Sequence, residues 1–112
     1  MGILNFDYLN EVTGNDPAML KQILMAYTAH LPGDMDELGK LVSAGNYTQA
    51  GFLAHKIKSS ARILKLESAE WLAEIERAAK MNENVEIIPG KMVLVQKNLE
   101  DALAEINIIV NS

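Results

Sequence analysis

The chain has no cysteine, which excludes disulfide staples, zinc–thiolate sites and cysteine nucleophiles and gives no reason to place it in an oxidising compartment. Aromatic residues make up only 5% of it and there are three prolines. A core must therefore come from Ile, Leu, Val, Met and Ala, which suits helices and disfavours an all-β sandwich. No apolar run approaches the ~20 residues of a membrane span, and the N-terminus lacks the basic-then-apolar layout of a signal peptide. Met1-Gly2 invites a myristoylation reading, but that pattern wants Ser or Thr where Phe6 stands. There is no Gly-rich loop followed by Lys-Ser/Thr, no kinase signature, and no His/carboxylate cluster at metal-ligand spacing, so neither a nucleotide, another cofactor nor a metal is expected. A cytoplasmic protein without membrane or nucleic-acid contacts is the reading that remains.

What is present begins with charge. Fifteen acids against ten bases give a net charge of −5 over 112 residues, which argues against a general binder of nucleic acid or anionic membranes. From Leu38 through Leu66 there is no Asp or Glu, yet Lys40, Lys56, Lys58, Arg62 and Lys65 all lie there. An acidic chain carries a basic segment.

The length is that of one domain with a single core. Its punctuation predicts six helical segments. Asn5 caps a short helix over 6–12, with Gly14 past its end. Asp16-Pro17 starts a helix over 17–30, the Asp accepting from free amides and the Pro needing no donor at the first position. Pro32-Gly33-Asp34 reads as a break before a helix over 34–45, which Gly45 ends. Asn46 with Gln49 is a capping-box variant opening a helix over 47–64; further helices are expected over 67–80 and, after Pro89, over 89–110. The last four are expected to form an antiparallel up-down four-helix bundle, with one or two additional N-terminal helices capping it or packing along one side.

The helix over 47–64 is the informative one. At ~100° per residue, Ala50, Leu53, Ala54, Ile57, Ala61 and Leu64 fall within about 60° of Ile57 and make the core stripe. His55 lies about 160° from that centre, with Lys58, Ser59 and Arg62 within about 60° of it, so imidazole, ammonium, hydroxyl and guanidinium share one ridge. Gly51, one turn earlier, is on the same side, and a mid-helix glycine usually marks the close approach of something else. Phe52, Ile63 and Leu66 add apolar surface to this face. They read as a docking surface, with cover by an N-terminal helix as the alternative. An exposed imidazole, partly neutral at pH 7, has a ring nitrogen free to attack phosphorus, and neighbouring cations would neutralise phosphoryl oxygens. His30 reads instead as a solvated polar residue. The acids Glu67, Glu70, Glu74 and Glu76 read as the solvent face and N-terminal dipole partners of their helix.

At Ala54-His55-Lys56-Ile57-Lys58-Ser59-Ser60-Ala61 the sequence resembles the histidine phosphotransfer (HPt) domains of phosphorelays. Their motif is a His, an apolar residue two on, a Lys three on, then usually Gly and a small residue; His55, Ile57, Lys58 and Ser60 match. The run Leu72-Ala73-Glu74-Ile75-Glu76 fits the helix that follows. Two positions depart from the pattern. Ser59 stands in place of the usual Gly after the Lys, and Lys65 in place of the common Gly ten residues after the His, which removes the expected stop of that helix.

The resemblance implies that His55 accepts a phosphoryl group from a receiver-domain aspartyl phosphate and passes it to another receiver. It implies that Lys58 supports the phosphorylated ring, and that Mg²⁺ and the catalytic carboxylates belong to the receiver. The implied partners are receiver domains of response regulators and hybrid sensor kinases, met by a monomeric phosphocarrier without ATP-dependent kinase activity. Gly51, Phe52, Ser59, Arg62, Ile63 and Leu66 are then the expected docking residues. The rival readings are a helical interaction domain that is never phosphorylated, and the phosphoacceptor domain of a chemotaxis-type kinase.

Overall fold

Residues 3–111 are described by a computed structural model of the chain; Met1-Gly2, on which the myristoylation reading turns, lies outside them. The elements run α1 (Asp7–Val12), α2 (Pro17–Ser43), α3 (Tyr47–Ile63), α4 (Ser68–Met81), a 3₁₀ turn (Val85–Ile87) and α5 (Ile88–Val110). Among the described residues there is no strand, as the composition led us to expect. In this helical bundle α3 packs against α2 and α4, and α5 closes on the same two helices.

The expected break at Pro32 does not occur. One helix, α2, spans both predicted segments. Pro32 and Gly33 lie on its exposed side, where the carbonyl one turn back, deprived of its helix donor, can be hydrated. Leu24, Leu31 and Leu38 meanwhile hold both halves in one core, and burying three leucines at about 1.5–3 kcal/mol each outweighs the ~3 kcal/mol cost of an interior proline. The start of α2 is as read from the sequence: the Asp16 carboxylate accepts from the amides of Ala18 and Met19.

The stop of α3 is made without glycine. Lys65 takes the left-handed conformation at φ 55°. Its amide donates to the Arg62 carbonyl at 3.0 Å and the Leu66 amide to the Ala61 carbonyl at 2.9 Å, the paired bonds of a Schellman ending. A lysine in this conformation costs roughly 1 kcal/mol more than a glycine. The same ending turns Leu66 inward, where it is 5% exposed.

The N-terminal segment is tied to this end of the bundle. The Asn5 amide donates to the Leu64 carbonyl, the Ile3 amide to the Glu105 carboxylate, and Leu9 is buried.

At the head of α4 the Asn98 side-chain oxygen accepts from the Ser68 amide at 3.1 Å. The Ser68 hydroxyl is fully buried and has no hydrogen-bond partner among the described residues. Such an unmade bond costs on the order of 1 kcal/mol or more, so Ser68→Ala is expected to raise stability by about 1 kcal/mol in a denaturant titration. A loss of 1 kcal/mol or more would show that the hydroxyl has a partner.

Candidate functional site

The helices α3 and α4 approach closely at Gly51. Ala50, Ala54 and Ala79 are buried, and a Cβ on Gly51 would meet the Ala79 Cβ and the Lys80 Cγ at 3.4 Å each. What approaches Gly51 is therefore α4, and the expected place of Gly51 on the docking face is corrected: it is buried. The wheel angle explains the change. Gly51 and Lys58 lie about 100–120° from Ile57, on the flank that α4 covers.

Close approach of the two helices carries α4 side chains up beside His55. The imidazole is 58% exposed, and its Nδ1 lies 2.8 Å from Oε2 of Glu76. Lys58, expected on the open ridge, is instead only 9% exposed, with Nζ 2.6 Å from Oε1 of the same carboxylate. Lys80, one turn along α4, places its Nζ 2.7 Å from Oε2 and stays half-exposed. Glu76, expected on a solvent face, is thus a buried hub that accepts from three cationic or polarisable groups. Burial alone would push its carboxyl up, but hydrogen bonds from Lys58, Lys80 and His55 prevail and hold it down at about 2.

An ionised carboxylate only accepts, so the proton of this contact sits on Nδ1 of His55. Nε2 has no hydrogen-bond partner among the described residues, and in the neutral ring it then carries the in-plane lone pair. The arrangement presents one defined nucleophilic nitrogen, oriented from behind by a buried charge.

The remaining expected residues fall into two groups. Phe52 is 62% exposed, so no N-terminal helix covers it. It borders a shallow groove between α2 and α3 with Leu41, Leu53 and Lys56. Ser59 and Arg62 are exposed, the Ser59 hydroxyl donating back to the His55 carbonyl at 3.2 Å. Ile63 is half-buried against the core, while Leu66 belongs to the core and leaves the docking face. His30 is exposed on α2, as expected.

Three of the five bases in the basic segment are paired with carboxylates. Lys40 pairs with Asp36, Lys56 with Asp34 and Lys58 with Glu76.

Sequence reasoning missed Lys80 and put Glu76 on a solvent face, because two of the three partners of Glu76, His55 and Lys58, lie on another helix. The signal that could have found them is their i, i+4 spacing on the flank opposite Gly51. No helix among the described residues is long and apolar enough to cross a membrane. The family model for the Hpt domain matches residues 22–107. No curated protein and no solved structure matches the chain.

Proposed function

Because the chain belongs to the Hpt domain family, whose members carry phosphoryl groups on histidine and interact with receiver domains of two-component systems, we propose that His55 is its acceptor. It takes the group from an aspartyl phosphate on one receiver and hands it to an aspartate on another. The observation that carries this reading is an exposed imidazole whose Nδ1 is held by buried Glu76 at 2.8 Å, leaving Nε2 free.

In the step, the Nε2 lone pair attacks phosphorus. The N–P bond forms as the P–O bond to the aspartyl carbonyl group breaks, and the aspartate leaves as a carboxylate. Nδ1 keeps its proton, so the ring becomes cationic and Glu76 faces that charge directly. Transfer onward is the same displacement in reverse. Lys58 acts through Glu76 and is a positioning residue. Lys80, half-exposed, has the freedom to turn toward the phosphoryl oxygens. Phe52, Ser59, Arg62 and Ile63 flank the imidazole as the docking face. Nothing in this mechanism draws on ATP, in keeping with a phosphocarrier.

The test is to mix the protein with phosphorylated receiver domains and follow transfer. An acid-labile, alkali-stable adduct that vanishes in His55→Gln is expected. Undiminished labelling of that variant overturns the assignment. Labelling by an ATP-loaded kinase domain but by no receiver would move His55 to the chemotaxis-type acceptor role.

Phe52 supplies a separate prediction. Phe52→Ala is expected to weaken receiver binding about 5- to 30-fold, as loss of an aromatic anchor does, while stability moves by less than about 0.5 kcal/mol. Calorimetric titration beside thermal unfolding decides it: lost stability with intact affinity would return Phe52 to the core.

A further inference from the structure

Of the ten basic residues, Lys40, Lys56, Lys58, Lys80, Lys91 and Lys97 are each paired with a carboxylate. Of the other four, Arg62, Lys65 and Arg77 line a single groove between the end of α3 and α4. None of the three has a salt-bridge or side-chain hydrogen-bond partner among the described residues. The groove is shallow, with a volume of about 450 Å³, and its floor includes Ala69 and Ala73; Glu70 is its one acid. Unpaired positive charge in an acidic chain is thus concentrated at one place. Arg62 lies two turns beyond His55 on the same ridge, about 10 Å along the helix axis.

Lys65 adds an independent indication. Its backbone is in the left-handed region at φ 55°, where glycine is cheapest, yet the position carries a long cation that borders the groove.

We propose that this groove is an electrostatic anchor for the receiver, holding a carboxylate-rich segment of its surface while the phosphorylated aspartate meets His55. The proposal rests on the phosphotransfer reading and adds to it a second point of attachment, one that sets orientation and partner choice. The charge balance fits this occupant. Three cations against one acid suit an anionic segment, and the alanine floor lets its backbone approach closely. On the other flank of His55, beside Phe52, Lys56 is already neutralised by Asp34, so long-range attraction comes from the Arg62–Lys65–Arg77 side.

Binding and transfer are tested apart. Unphosphorylated receiver domains are titrated into ¹⁵N-labelled His55→Gln protein, which binds but cannot carry phosphate. Amide shifts across residues 62–77 are expected, with affinity that falls as salt rises. Added Lys65→Gly is expected to weaken binding about two- to threefold, and Arg62→Gln, Lys65→Gly and Arg77→Gln together about tenfold or more at low salt, the difference fading once salt screens the charges. Lys65→Gly should meanwhile keep or raise the melting temperature, since it relieves the backbone. That separates a lost contact from a damaged fold.

Receiver affinity and salt dependence unchanged in the triple variant would overturn the anchor even if wild-type protein accepts phosphate normally. Groove-dependent binding by a protein that accepts phosphate from no receiver would keep the anchor and sink the carrier reading.

Discussion

Glu76→Gln is expected to lower stability by about 2–3 kcal/mol and to slow phosphoryl transfer to His55 by roughly tenfold to a hundredfold. Glutamine keeps the shape but removes the charge, which leaves the buried Lys58 ammonium with a neutral partner. The amide can also present its NH₂ to Nδ1, and then the ring proton is driven to Nε2, the nitrogen that must attack. The stability term has a pH signature. The Glu76 carboxyl is held at about 2 in the fold against an ordinary 4.5, so the folded state binds a proton less readily than the unfolded chain. Its contribution is complete above about pH 4.5 and drains away as pH falls toward 2. Stability curves of wild type and Glu76→Gln should therefore converge in acid. Parallel curves down to the acid limit would show that the carboxylate network carries no net stability.

The second large effect separates the two lysines. Lys58→Ala is expected to cost about 2–3 kcal/mol, because Lys58 is buried with Glu76 and its loss leaves the carboxylate short of a desolvated partner. Lys80→Ala removes a half-exposed ammonium and is expected to cost under about 1 kcal/mol, yet to shorten the lifetime of the phosphorylated form. Denaturant midpoints and adduct half-lives measured on both variants provide the comparison. Equal stability losses would mean that burial does not distinguish the two lysines, and an unchanged half-life in Lys80→Ala would remove that residue from the phosphoryl group. The helix wheel alone placed Lys58 on the exposed ridge and gave Lys80 no role.

These contrasts show what the sequence could carry. The helical class, the Asp16 and Asn46 caps and the exposure of His55 were legible because each follows from local geometry: a side chain reaching its own backbone, or an angle on one wheel. The continuity of α2 was not, since Pro32 and Gly33 are local stop signals and the leucines that override them act through the core. Glu76 was misplaced because His55 and Lys58, which it meets, lie on another helix, whereas Gly51 and Lys58 were misplaced for one common reason. A wheel shows where a residue points but not how wide the buried arc is, and α3 is covered by helices on two sides. Leu66 was lost with the missing glycine, because a lysine at Lys65 hides the Schellman ending that turns Leu66 inward.

In the proposed mechanism the carboxylate behind His55 decides which nitrogen carries phosphate. The most direct test is ³¹P and ¹⁵N NMR of the phosphorylated protein with labelled histidine. A single phosphohistidine is expected, bonded through Nε2 of His55, with Nδ1 still protonated against Glu76. Phosphate on Nδ1, or on any residue other than His55, would contradict this mechanism.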